Sequence, residues 1–111
     1  MEEVQITELK IGEGPEVSKG ALCFAHYEGF LEDGTKFDSS YDHNRPFEFV
    51  TGSKKVIVGW SLACMGMRAG GERKVFVPAS LAYGDRQIGQ LIRPNSNLIY
   101  HIKMLEVRPR E

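Results

Sequence analysis

The stretch 56–67 constrains the fold most, because it is the only helix-like run among segments that otherwise have the period of strands. Trp60, Cys64 and Met67 recur along it at helical spacing, and Gly66 supplies a stop signal near its end. A short helix between two sets of strands is expected to cover the concave face of a sheet. Trp60 would then lie where helix and sheet meet, either as plain core or as the apolar floor of a pocket.

The segments on both sides of this run alternate apolar and polar residues with the two-residue period of strands. The longest is 21–31, and Asp33-Gly34 after it predicts a tight hairpin turn. Residues 41–46 are expected to form an irregular insert and 85–97 a long connection. Long alternating strands with one short helix predict an α+β fold with an antiparallel sheet. The other predicted strands are 4–9, 36–40, 47–49, 72–77 and 98–104.

Length and charge restrict the classes of function. The 111 residues suit a single domain, 1–111, and the net charge of −1 offers no excess positive field for nucleic acid or anionic membranes. Lys54, Lys55 and the charged end 108–110 are expected on the solvated surface. No apolar run reaches the length of a membrane span, and the first four residues do not resemble a signal peptide. We therefore expect a cytoplasmic monomer that binds neither nucleic acid nor membrane.

The cysteines and histidines indicate neither a redox pair nor a metal centre. Cys23 and Cys64 are isolated, which favours two reduced, buried thiols over a disulfide. The three histidines, His26, His43 and His101, show no ligand spacing to one another or to the cysteines. No metal and no cofactor are expected.

Several separate motifs together resemble one family. The strings HYEGFLEDGTKFDSS, PFEF, VIVGW, LAYG and NLIYHIKMLEV are similar, in order and spacing, to the FKBP peptidyl-prolyl cis-trans isomerases, immunophilins that bind tacrolimus and rapamycin. The resemblance spans nearly the whole chain. It implies a five- to six-stranded antiparallel β-sheet curled around one short α-helix, with the substrate pocket between the helix and the concave face of the sheet.

The resemblance also implies a role for individual residues. Trp60 corresponds to the pocket floor, and the backbone N–H of Ile57 to the group that receives a ligand carbonyl. Tyr83 corresponds to the phenol that donates to a carbonyl near the reacting bond, and Asp38 to a carboxylate held by Tyr27. The apolar and aromatic walls correspond to Tyr27, Phe37, Phe47, Val56, Ile57 and Tyr100.

Two regions depart from the family pattern. His43 stands where many members carry an arginine beside Asp38, so the charge of this polar network could depend on pH. The loop 85–97 has Arg93 where a proline is frequent, which puts substrate preference and drug affinity in doubt. The loop residues expected to make apolar contacts at the pocket rim are Ile88, Leu91 and Ile92.

Each of these residues also has a purely structural interpretation. Phe37 and Phe47 alternate as any core strand would, Asp38 before two serines suits a turn, and Tyr83 could anchor a loop. One pocket nevertheless accounts for all of them at once, whereas separate structural explanations would have to coincide at every position.

The expected function is the rotation of X-Pro peptide bonds in proline-containing polypeptides, which assists protein folding. This rotation needs no nucleophile, metal or acid–base pair, because no covalent bond breaks. The main alternative is a low-turnover or chaperone-like module that binds proline segments, since the same aromatic walls serve binding and catalysis. A small nucleic-acid-binding β domain is disfavoured by the net charge and by aromatics that are not placed among basic residues.

Overall fold

The computed structural model describes residues 3–110, which form six strands and one α-helix. The predicted α+β class with an antiparallel sheet is therefore confirmed. Two 3₁₀ turns, Tyr41–His43 and Ala79–Leu81, lie in the connections. In chain order the elements are β1 Gln5–Lys10, β2 Leu22–Leu31, β3 Lys36–Ser39, β4 Phe47–Val50, α1 Val58–Cys64, β5 Glu72–Val77 and β6 Leu98–Arg108.

The two longest strands, β2 and β6, form the centre of the sheet. They pair antiparallel from Leu22 opposite Arg108 to Leu31 opposite Leu98. The strand order is β1-β5-β6-β2-β3, and β4 also pairs with β2, so the two short strands share one edge of β2. A register shift between Phe24 and Ala25 marks a bulge, a feature that increases local twist.

The core lies between α1 and one face of this sheet. Alternate residues such as Cys23, Ala25 and Ile102 are fully buried on that face, as the two-residue period predicts. Gly59 allows the helix to approach closely, because a Cβ there would lie 2.3 Å from Cγ1 of Val77 on β5. A larger residue would push the start of α1, and with it Trp60, away from the sheet.

The helix is shorter than the run that predicted it. It has seven residues, and Ile57 precedes it in an extended conformation with φ −61° and ψ 151°. Because Ile57 is extended, the helical backbone begins at Val58, although the helical spacing of side chains begins at Val56. No side chain caps the N-terminus of the helix. Gly66 adopts φ +82° just beyond the helix and confirms the predicted stop.

The other expectations for local structure are largely met. Residues 41–46 contain only the short 3₁₀ turn, which ends at Asn44 with φ +58°. Cys23 and Cys64 are free and buried, and burial raises the pKa of the Cys23 thiol to about 11. Within 3–110 the structure contains no helix with the length and apolar character needed to cross a bilayer.

Candidate functional site

A cavity of about 350 Å³ opens between the start of α1 and the face of the sheet that carries the core. It collects side chains from β2, β3, β4, β6, α1 and two connections. The predicted site residues that line it are Tyr27, Phe37, Asp38, Phe47, Val56, Ile57, Trp60, Tyr83 and Tyr100.

Trp60 forms the floor of this cavity within a cluster of aromatic rings. Its ring centroid lies 4.9 Å from that of Tyr100, 5.2 Å from Tyr27 and 5.6 Å from both Phe47 and Phe49, all in edge-to-face geometry. This geometry is attractive and leaves the indole only 4% exposed. The buried Nε1 of Trp60 has no hydrogen-bond partner among residues 3–110.

Gly29 on β2 creates the space for two wall residues. Tyr27 and Gly29 lie on the same face of β2 because they are two residues apart. A Cβ at Gly29 would lie 2.6 Å from Cζ of Phe37 and 3.0 Å from Cε1 of Tyr100, whose rings are 5.7 Å apart. Sequence reasoning missed Gly29, although its place in the period of β2 put it on the pocket face.

A polar network lies at one side of the cavity and is centred on Asp38. The Tyr27 hydroxyl donates to Oδ2 at 2.6 Å, the Ser39 backbone N–H donates to Oδ1 at 2.8 Å, and His43 Nε2 lies 3.1 Å from Oδ1. Burial opposes ionisation of Asp38, but these hydrogen bonds outweigh it and hold its pKa below the usual value. Burial, and then the hydrogen bond to Asp38, raise the pKa of Tyr27. Asp38 is therefore an ionised acceptor and Tyr27 a neutral donor.

Two further donors face the cavity without a partner in the described part of the chain. The Tyr83 hydroxyl has no hydrogen bond there, which removes support for its being a loop anchor. Burial, with a smaller contribution from Asp38, raises the pKa of Tyr83 and keeps the phenol protonated. The Ile57 N–H, just before the first helical residue, likewise meets no acceptor among residues 3–110. Both groups can donate to carbonyl oxygens of a bound chain.

The structure does not place the three predicted rim residues of the long loop in this cavity. Ile92 is buried in the core, and its backbone exchanges hydrogen bonds with that of Ile88, at 2.9 and 3.3 Å. Leu91 is exposed and borders a separate cavity beside Arg93. The loop closes on itself through these bonds, and apolar contact of the three residues with a bound chain stays a prediction. His43 borders an adjoining cavity, which Tyr27 and Phe47 also line, and its Nε2 lies 3.1 Å from Oδ1 of Asp38.

Four lining residues were not predicted: Lys54, Lys55, Ala82 and Arg86. The lysines had been interpreted only as solvated surface. Their position directly before Val56 and Ile57 is the signal that could have placed them at the cavity, as is the position of Arg86 three residues after Tyr83.

The fold and the cavity define a small α+β domain with an aromatic cavity floored by an indole and with hydrogen-bond donors on the residues that line it. Residues 14–105 match the family model described as FKBP-type peptidyl-prolyl cis-trans isomerase. The chain belongs to this family, as the sequence motifs indicated, and is a peptidyl-prolyl cis-trans isomerase of the FKBP type.

Relatives and solved structures agree with this assignment. The chain is 42% identical over 102 residues to an FK506-binding protein of Neisseria meningitidis serogroup A, covering 92% of this chain and 94% of that protein. It is 40% identical over 92 residues to the peptidyl-prolyl cis-trans isomerase FKBP2 of Homo sapiens, covering 83% of this chain and 65% of that protein. The crystal structure of AtFKBP13 superposes with a TM-score of 0.87 at 38% identity, covering 93% and 91% of the two chains.

Proposed function

We propose that the cavity floored by Trp60 is the site at which this isomerase turns X-Pro bonds. The observation that supports it most is the combination of an aromatic enclosure around Trp60 with two unpartnered donors, the Tyr83 hydroxyl and the Ile57 N–H. The proline ring would lie on the indole, and the donors would fix the carbonyl groups on either side of the reacting bond.

Rotation about an X-Pro bond requires only that amide resonance be lost. The uncatalysed barrier is about 18–20 kcal/mol and arises from the partial double bond between C and N. Twisting shrinks the charge separation of the amide, so a dry aromatic site disfavours the planar state relative to the twisted one. Lowering the barrier by about 4 kcal/mol gives roughly a thousandfold acceleration. Desolvation by Phe37, Phe47 and Tyr100, with the carbonyls held in place, would supply most of it.

Asp38 acts in this scheme through its charge. Its carboxylate accepts the hydrogen bond of Tyr27 at 2.6 Å, which fixes the Tyr27 ring against Trp60. No proton transfer is required of it, because the reaction forms and breaks no covalent bond. It is a positioning residue for the wall of the pocket.

The test is the cis-to-trans exchange rate of a Leu-Pro peptide, measured with purified protein in the presence and absence of tacrolimus. We expect acceleration that tacrolimus abolishes. Tyr83→Phe should lower the rate about tenfold, as expected for the loss of a single hydrogen bond of about 1.4 kcal/mol. Tyr41→Phe is the matched control, because Tyr41 is exposed and outside the cavity.

The alternative function is a module that binds proline segments with little turnover. Folded protein that binds the Leu-Pro peptide without accelerating its exchange would establish that alternative. Equal rates for Tyr83→Phe and Tyr41→Phe would remove the Tyr83 hydroxyl from the mechanism and leave the activity itself in place.

We further propose that this chain binds macrolides of the tacrolimus and rapamycin type in the same cavity. The support is the apolar enclosure together with relatives that are themselves named FK506-binding proteins. Competition between tacrolimus and the Leu-Pro peptide, followed by Trp60 fluorescence, tests a shared site.

We also propose that the protein works as a cytoplasmic monomer. Two free, buried cysteines suit a reducing compartment. Cell fractionation tests the location, and sedimentation at several concentrations tests the oligomeric state.

A further inference from the structure

Three basic side chains surround the mouth of the cavity. Lys54 and Lys55 lie in the connection from β4 to α1, and Arg86 lies on the loop that precedes β6. All three are exposed and line the same cavity as Trp60. We call Lys54, Lys55 and Arg86 the basic rim. Because they come from two separate segments, positive charge faces the cavity from more than one direction.

In the described part of the chain, the three cations of the basic rim outnumber the one carboxylate that lines the cavity, that of Asp38. The ion pairs among residues 3–110 join other groups, and none of them includes a rim residue. Asp38 is the carboxylate in the cavity wall, and it is already bonded to Tyr27, Ser39 and His43. Glu48 borders a neighbouring cavity together with Lys55, and Asp85 precedes Arg86 in the sequence. Neither carboxylate belongs to an ion pair with the basic rim among the described residues.

The cavity is small enough for residues beside the bound proline to reach the rim. An extended chain advances about 3.3 Å per residue, so the second residue from the proline lies about 7 Å away. A space of about 350 Å³ is roughly that wide. Side chains within two residues of the proline therefore lie at the mouth of the cavity, close to the basic rim.

We propose that the basic rim makes this isomerase select proline segments that carry an anionic side chain, carboxylate or phosphoryl, within two residues of the proline. The inference depends on the proposed catalytic pocket, since it assigns a preference to substrates bound there. Lys54, Lys55 and Arg86 are specificity-determining residues in this account, and they take no part in the rotation itself.

The size and the kinetic form of the preference follow from the exposure of the rim. A single exposed ion pair is worth about 0.2–1 kcal/mol, and three cations around one site give a preference of about tenfold at low salt. The charge contact is the same in the planar and twisted states, so it should change binding and leave the turnover of bound substrate unchanged. Raising the salt well above 0.1 M should remove most of the preference, because the screening length falls below about 10 Å.

The experiment uses three peptides with one Leu-Pro core and Glu, Gln or Lys two residues before the proline, and a second set with the substitution two residues after it. Exchange NMR spectroscopy gives kcat/KM, and chemical-shift titration gives the dissociation constant. A phosphoserine peptide separates phosphoryl from carboxylate recognition. For the unchanged protein we expect the order Glu, Gln, Lys in at least one set, with about tenfold between Glu and Gln.

Two triple variants test whether the basic rim causes the preference. Lys54→Gln, Lys55→Gln and Arg86→Gln together should bring the Glu-to-Gln ratio close to one. The control combines Lys10→Gln, Lys74→Gln and Lys103→Gln, which removes three positive charges from exposed sites outside the cavity. Both variants reach the same net charge, and the control should keep the ratio of the unchanged protein.

Each outcome decides between the two proposals. Acceleration of all peptides with equal kcat/KM would overturn the basic rim and leave the catalytic pocket standing. A preference lost equally in both variants would assign it to net charge and also overturn the rim. If no peptide is accelerated, the catalytic proposal fails, and equal dissociation constants for the Glu and Gln peptides would then overturn the rim as well.

Discussion

Asp38 is the ionised acceptor in the wall of the cavity, and its hydrogen bonds hold that wall in place. Its two oxygens receive three protein donors, and those bonds lower its pKa despite partial burial. A group already ionised well below neutral pH does not titrate near pH 7. Its value to the site is the position it gives to Tyr27.

Asp38→Asn should lower the isomerase rate by about tenfold, because Tyr27 loses a charged acceptor and its ring loses a fixed position. The profile of kcat/KM against pH should be flat from about pH 6 to 9 in both proteins when each also carries His43→Gln, which removes the histidine bonded to Asp38. Exchange NMR of the Leu-Pro peptide across this range measures both. A titration in His43→Gln that disappears when Asp38→Asn is added would show that the carboxylate acts as an acid or base.

The same residue predicts a pH dependence of stability. The folded-state pKa of Asp38 is lowered, so its contribution is present above the unfolded value of 3.8 and is lost as the pH falls through the folded value. The difference in urea midpoint between the original protein and Asp38→Asn should therefore shrink as the pH falls below about 4. A difference that is constant from pH 7 to pH 3 would contradict this assignment.

Gly29→Ala should distort the pocket while the sheet remains folded. The new Cβ would lie 2.6 Å from Phe37 Cζ, so the ring must move. We expect a loss of about 1–3 kcal/mol in unfolding free energy, typical of overpacking, and a rate about tenfold lower. Phe37→Leu in the same chain removes the ring atom involved, so the double variant should be more stable than the sum of the single changes predicts. Strict additivity in urea unfolding would show that the two positions do not collide.

At the scale of elements, Arg73 connects α1, the helix that carries Trp60, to the sheet. Its guanidinium is 7% exposed and donates through Nη1 to the carbonyls of Ala63 and Met65, each at 2.8 Å. It also pairs with Glu8 on β1, at 2.7 and 3.0 Å. Among residues 3–110 no other donor reaches these carbonyls at the end of α1, because the helix does not continue.

Arg73→Met should cost about 3 kcal/mol of unfolding free energy, because the helix-end carbonyls stay buried without donors. Glu8→Gln is the matched change at the other end of the pair and should cost less than about 1 kcal/mol, since Glu8 is 46% exposed. Urea unfolding measures both. Equal losses in the two variants would mean that the ion pair stabilises the fold and that the carbonyl bonds do not.

Arg73 also marks the limit of what the sequence predicted for the elements. The two-residue period of the predicted strand 72–77 sets Arg73, Val75 and Val77 on one side of the strand, and the structure shows that this side is buried. The period could not explain a buried cation at this position, because the hydrogen-bond and ion-pair partners of Arg73 lie eight to 65 residues away in the chain. The helix-like run begins at Val56, whereas α1 begins at Val58. The spacing of apolar side chains does not show at which residue the backbone becomes helical.

At the scale of the whole molecule, the period of strands and helix predicted the pocket residues that lie on those elements, whereas Ile57 and Tyr83, which lie on connections, were predicted from the family motifs. Tyr27 and Tyr100 lie on paired strands, and Trp60 lies on α1, so their meeting follows from the period and the fold. Ile88 and Ile92 lie on one connection and form a backbone bridge with each other, and no local pattern in the sequence predicts that bridge. Lys54, Lys55 and Arg86 reach the cavity from connections too, which is why the two lysines were interpreted as surface and Arg86 was given no role at the site.

Ligand binding in the cavity should stabilise the entire domain, since the cavity joins most of its strands to its helix. Tacrolimus at 100 times its dissociation constant should add about 2.7 kcal/mol, roughly 10 °C in Tm for a chain of this size. Val56→Glu, which sets a charge in the cavity wall, should remove the shift, whereas Val50→Glu at an exposed site outside it should keep it. Calorimetric scans of the three proteins decide the matter. If tacrolimus raises the Tm of Val56→Glu and of the original protein equally, the drug binds elsewhere, and the cavity floored by Trp60 is not the macrolide site.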